Sequence, residues 1–158
     1  MRRVRATVAL NIDTASRERF RGTPRRPFVA DMKLRLVSAD AFFYPDVMVT
    51  CDAGDRKADL FVEHPKLIVE VLSDSTAAYD RGAKFAAYRQ IAALQEFVLI
   101  DTAARRVEVF RRQAGNEGLL HDYTGEPFCH FDSVTLKLEM GTVFEDVDTA
   151  PQIDSELQ

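Results

Sequence analysis

The alternation of apolar and polar positions divides the chain into a long helix, a group of strands, a second helix and a further run of strands. Val4, Val8, Leu10 and Ile12, with Ala6, Ala9 and Ala15, fit an amphipathic helix over roughly 3–21, which Gly22-Thr23-Pro24 ends. Met32, Leu34 and Leu36 then alternate with Lys33 and Arg35, the period of a half-buried strand. A second strand is expected over 43–50, with Pro45 near its start, where a missing N–H is tolerated. An acidic, glycine-containing loop at 52–59 leads to 66–73, a nearly continuous apolar run suited to a strand buried on both faces.

Asp74-Ser75-Thr76 supplies capping side chains for a helix over roughly 77–92, on which Phe85, Tyr88 and Ile91 fall at helical spacing and face the core. Phe97–Ile100 and Val107–Phe110 read as two strands joined by a turn at 101–105. Leu119–Tyr123 and Val134–Leu138 are weaker strands, 140–147 is a short helix, and the tail from Thr149 is polar and frayed. Together these elements predict one α/β domain over 1–148 with a mixed sheet flanked by helices, followed by the tail 149–158.

Two of the strand-like segments each carry an acid in an apolar setting. They are Tyr44-Pro45-Asp46-Val47-Met48-Val49 and Leu67-Ile68-Val69-Glu70-Val71-Leu72-Ser73. Burying a carboxylate there is costly unless it is paired or bound to a cation. Asp46 alone reads equally as a strand-entry residue, Lys84 as a solvated helix lysine, and Asp80 with Lys84 as an i,i+4 ion pair. Ser73 and Ser75 read as caps, and His64, His121 and His130 are too scattered to form a triad or a ligand set.

Composition narrows the class. With 46% apolar and 29% charged residues over 158 positions, the chain is long enough for one ordinary globular core. No apolar run approaches the roughly 20 residues that span a bilayer, and the arginine-rich start lacks a signal-peptide core. Cys51 and Cys129 stand apart, without CxxC spacing, as reduced thiols of a cytoplasmic protein do. Residues 1–37 carry ten Arg or Lys against three acids, a balance of +7, so the rest of this −4 chain carries −11. A basic face of that kind attracts phosphate backbones, although it equally decorates a solvated helix.

Asp46, Glu70 and Lys84 have the chemistry a phosphodiesterase needs. A hard divalent cation takes oxygen ligands, usually one or two carboxylates, and a nearby ammonium stabilises charge developing on phosphorus. In order and spacing, the strings FYPDV, PKLIVEVLS, YDRGAKFAAYR and EFVLID resemble the PD-(D/E)XK nuclease superfamily, and within it the Uma family of restriction-endonuclease-like proteins. The similarity runs from about residue 3 to residue 148 and includes Asp80 and Tyr88. It implies a restriction-endonuclease-like fold in which Asp46 and Glu70 are metal ligands and the Val71 carbonyl is a third. The lysine of the half-motif is replaced by Leu72, as in the Uma family, and Lys84 matches the lysine that family carries on the following helix.

The resemblance further implies Mg²⁺ (or Mn²⁺) as cofactor and DNA as substrate, cut by an endonuclease. A homodimer is expected because cutting both strands of a duplex takes two sites. Related chains carry a preceding segment with a Leu-Ile-Asp-Gly-Glu-like turn that this chain lacks, and an acid from that region often completes the site. Asp13 and Glu18 are the only acids of the first helix. A catalytically inactive nuclease-fold module that binds DNA or serves assembly is therefore the alternative, with hydrolysis of another phosphoester a third.

Overall fold

Eight residues with a single polar break in their buried interior, Pro65–Leu72, form a central strand of the sheet, as the nearly continuous apolar run over 66–73 predicts. The computed structural model describes residues 2–29, 31–73 and 75–147. In chain order the elements are α1 (Arg2–Phe20), β1 (Arg26–Val29), β2 (Lys33–Leu36), β3 (Ala41–Phe43), β4 (Val47–Thr50), α2 (Ala53–Lys57), β5 (Phe61–Val62) and β6 (Pro65–Leu72). They continue with α3 (Ala77–Arg81), α4 (Ala83–Tyr88), β7 (Glu96–Asp101), β8 (Arg106–Arg112), β9 (Gly118–Asp122), β10 (Phe128–Phe131), β11 (Leu136–Glu139) and α5 (Met140–Val143). The fold is α/β, with a mixed six-stranded sheet in the order β1-β4-β6-β7-β8-β9. A three-stranded sheet, β3-β2-β5, and the β10–β11 hairpin accompany it.

β6 lies between an antiparallel neighbour, β4, and a parallel one, β7. A parallel pair needs a crossover, and α3 and α4 supply it. Side-chain alternation along β6 separates two cores. Leu67, Val69 and Val71 face α1, the hairpin and α5, among Val8, Ile12, Phe20, Phe131 and Val143. Ile68 and Leu72 face α4 and the small sheet, among Leu34, Val62, Tyr88 and Phe97. Glu70 shares the parity of Ile68 and Leu72 and thus replaces an apolar residue on the α4 side.

Several expected elements differ in detail. The strand expected over 43–50 is two: β3 pairs in the small sheet, the chain bends through Tyr44-Pro45-Asp46, and β4 enters the large one. The helix expected over 77–92 breaks at Gly82, whose N–H bonds to the Ala78 carbonyl and where a Cβ would lie 3.1 Å from that oxygen. The 52–59 loop contains α2, capped by Asp52, which accepts the Asp55 N–H at 2.9 Å. The Val134–Leu138 strand begins only at Leu136, after a turn in which Thr135 has φ 56°. Strands β1, β5 and β10 were not expected, because each is short and the first includes Pro27. The tail from Thr149 lies outside the described residues. Among the described residues no helix is long and apolar enough to cross a membrane.

Candidate active site

The β4–β6 ladder ends at the pair Val47–Val69, so the next residues in register, Asp46 and Glu70, lie just where backbone pairing stops. The Val71 N–H, left without a strand partner on that side, donates to Asp46 Oδ2 at 2.7 Å. Asp46 is 7% exposed, and its Oδ1 is 4.0 Å from Arg5 Nε on α1. Burial raises the Asp46 pKa, while the Val71 hydrogen bond, Arg5 and Lys84 act to lower it.

Glu70 is 3% exposed. Its Oε1 accepts from the Tyr88 hydroxyl at 2.8 Å, and its Oε2 is 3.1 Å from Lys84 Nζ. Burial pushes the Glu70 pKa up to about 7 despite Lys84, with Asp46 and Asp80 adding repulsion. The gap between α3 and α4 turns Lys84 back toward the sheet, where its ammonium also reaches Asp80 Oδ1 at 3.3 Å. Burial disfavours that charge, but Glu70 and Asp80 outweigh it and hold the Lys84 pKa above its ordinary value. Lys84 is therefore an ammonium, a donor rather than a base. Tyr88, fully buried and facing Glu70, is held protonated far above the ordinary phenol range.

Asp80 is 2% exposed and accepts from Thr76 Oγ1 at 3.1 Å through Oδ2. Its Oδ1 has only the ion-pair contact with Lys84, which is not aligned as a hydrogen bond. Three buried carboxylates, Asp46, Glu70 and Asp80, thus lie around the partly buried Lys84 ammonium, which pairs with the last two, while Arg5 lies beside Asp46. Such a surplus of oxygen donors suits a hard divalent cation.

The structure brings Asp46, Glu70, Val71 and Lys84 together and adds three residues to which sequence reasoning gave no site role. Asp80 and Tyr88 lie four residues either side of Lys84, a spacing that carries a signal. Arg5 comes from a distant helix, and nothing local marks it. Neither acid of α1 joins the group among the contacts of the described residues: Asp13 pairs with Arg17 at 3.0 Å, and Glu18 is exposed.

A second acidic group lies elsewhere, where Asp52, Asp55 and His64 hold possible ligand atoms within 4.8 Å of one another. Asp55 is already occupied. It accepts from Thr50 Oγ1 at 2.8 Å and from the N–H groups of Glu63 and His64 at 3.0 and 2.9 Å, tying the loop to the end of β4.

The family described as "Uma2: Putative restriction endonuclease" matches residues 1–141. Two uncharacterized proteins of Synechocystis sp. (strain ATCC 27184 / PCC 6803 / Kazusa) are similar. One is 33% identical over 115 residues, which is 73% of this chain and 60% of the relative. The other is 41% identical over 101 residues, 63% of this chain and 57% of the relative. The chain thus spans about six-tenths of the length of these curated relatives. In three dimensions it resembles a crystal structure described as "a putative nuclease belonging to DUF820" from Anabaena variabilis. The TM-score is 0.69 at 19% identity, covering 87% of this chain and 78% of the other, a likeness of fold.

Proposed function

Because the chain belongs to the Uma2 family, we propose that it is a divalent-metal-dependent endonuclease that hydrolyses DNA phosphodiester bonds, with Mg²⁺ the natural ion and Mn²⁺ a substitute. The observation that carries this reading is the convergence of Asp46 and Glu70 where the β4–β6 ladder ends, beside the ammonium of Lys84.

Asp46 and Glu70 would hold the ion through carboxylate oxygens, with the Val71 carbonyl as a third ligand. In an extended strand the N–H and C=O of one residue leave by the same edge, so the Val71 carbonyl leaves β6 on the side where its N–H meets Asp46. When bound, the ion supplies Lewis acidity at the phosphoryl oxygen and acidifies a water. The chain's own residues do the rest. The Val71 N–H fixes the Asp46 carboxylate, and the Tyr88 hydroxyl fixes that of Glu70. Lys84 donates hydrogen bonds to the charge that develops on the phosphate oxygens, as its ammonium state requires. Asp80 holds that ammonium in place.

The reading is tested by cleavage of plasmid and oligonucleotide DNA with Mg²⁺ or Mn²⁺, alongside calorimetric titration of Mn²⁺. Asp46→Asn and Glu70→Gln should abolish cleavage and weaken Mn²⁺ binding. Lys84→Met should reduce cleavage by about 10²–10³-fold, the usual cost of losing one such donor, while still binding the ion. DNA binding without cleavage across metals and substrates would instead identify a non-catalytic module built on the nuclease fold.

A further inference from the structure

β9 is an edge of the six-stranded sheet, and among the described residues nothing pairs with its outer side. Its burial is unlike that of the inner strands: Leu119 is 62% exposed and Leu120 51%. Adjacent strand residues point to opposite faces, so both faces of this edge present a leucine to solvent. An exposed, apolar edge strand is a template for pairing with another chain.

The hydrogen-bond pattern shows which backbone groups are free. The Tyr123 N–H bonds to the Val107 carbonyl, and the Gln113 N–H to the Glu117 carbonyl. With the register Val109–His121 and Arg111–Leu119 between them, the odd-numbered residues of β9 turn their peptide groups toward β8. The N–H and C=O groups of Gly118, Leu120 and Asp122 therefore point outward. These three positions are symmetric about Leu120.

We propose that this edge is a homodimer interface, in which two copies pair β9 antiparallel about a two-fold axis at Leu120 and merge their sheets into one. In that register Leu120 meets Leu120 of the second copy, Gly118 meets Asp122, and Leu119 meets His121. About six backbone hydrogen bonds result, two from each outward-facing pair. No carboxylate faces a carboxylate. Moving the axis is unfavourable in every case: at Leu119 or His121 only two outward-facing pairs remain within the strand, at Asp122 like charges stand opposite each other, and at Gly118 half the strand is left unpaired. Packing supports the same axis. Phe97, Phe110 and Leu120 stand directly across β7, β8 and β9 as one apolar row, and the second copy's row continues it. This pairing follows from the sheet alone, whether or not the protein is a nuclease.

Sedimentation equilibrium of the full chain tests it, with far-UV circular dichroism as the control for folding. The wild type should be a dimer. Leu120→Lys puts a charge at the axis in both copies and should raise the dissociation constant by about 100-fold or more without altering the spectrum. Residues paired across the axis have Cα atoms about 5.5 Å apart, within disulfide range. On a Cys51→Ser background, Leu120→Cys should therefore cross-link under mild oxidation, whereas Leu119→Cys should not. A wild type that stays monomeric at about 100 μM would overturn the proposal, and an edge that pairs with a peptide in place of a second copy would do the same. So would a dimer that survives Leu120→Lys, or one cross-linked equally well through Leu119→Cys.

Discussion

Glu70 sits where an apolar side chain would serve stability better, and its ionisation carries a measurable sign. Its pKa is about 7 in the folded protein against 4.5 for a free glutamate. Between those values the unfolded chain has released the proton and the folded one has kept it, so metal-free stability falls as pH rises from about 4.5 to about 7 and then levels off. Glu70→Gln removes the titrating group, and its denaturation midpoint should lose this part of the pH dependence. A Glu70→Gln profile with the wild-type slope in that window would locate the effect elsewhere. Tyr88 provides a separate test, because its hydroxyl holds Glu70 Oε1 while its ring packs 5.5 Å from that of Phe97. Tyr88→Phe keeps the ring and loses the hydrogen bond, so Mn²⁺ affinity should fall by about 10–100-fold, the usual cost of losing a group that orients a ligand. Unchanged affinity would reduce Tyr88 to a packing residue.

The elements that hold the site depend on one apolar layer. Phe97 on β7 is 1% exposed and touches the rings of Phe85, Tyr88 and Phe110, so it supports α4 beneath Lys84. Phe97→Ala should cost about 3–5 kcal/mol in chemical denaturation, a cavity penalty in a close-packed core. Cys129 on β10 is fully buried and its thiol is pushed up to about 12 by burial, so a thiol reagent should modify half-buried Cys51 in the native protein and Cys129 only after unfolding. At this scale the long periodic segments, α1, β6, β7 and β8, were legible in the sequence because one face or both are buried over many residues. The short β1, β5 and β10 were not, since two to four residues carry too little periodicity. The break at Gly82 was also hidden, because the apolar positions that suggested the helix, Phe85, Tyr88 and Ile91, all follow it, and the helix itself stops at Tyr88. Motif order singled out Asp46, Glu70 and Lys84 as candidates, whereas Arg5 reaches Asp46 only through the packing of α1.

At the scale of the whole molecule, the edge and the acid site combine if both proposals hold. A two-fold axis that pairs Leu120 with Leu120 on one face must run normal to the sheet, because side chains directly opposite on paired strands share a face. Both copies then present α3 and α4, and with them Glu70 and Lys84, on the same side of the joined sheet. Two sites facing one way can address both strands of a single duplex, whereas a monomer must dissociate and rebind between cuts. Wild-type protein with Mg²⁺ should therefore convert supercoiled plasmid to linear product with little nicked intermediate. Leu120→Lys lies outside the acid site, so it should cut a short oligonucleotide at the wild-type rate yet accumulate nicked circles. Should Leu120→Lys linearise plasmid as the wild type does while sedimenting as a monomer, the dimer has no part in double-strand cleavage. Loss of oligonucleotide cutting with the folded spectrum retained would show instead that the β9 edge belongs to the DNA-binding surface.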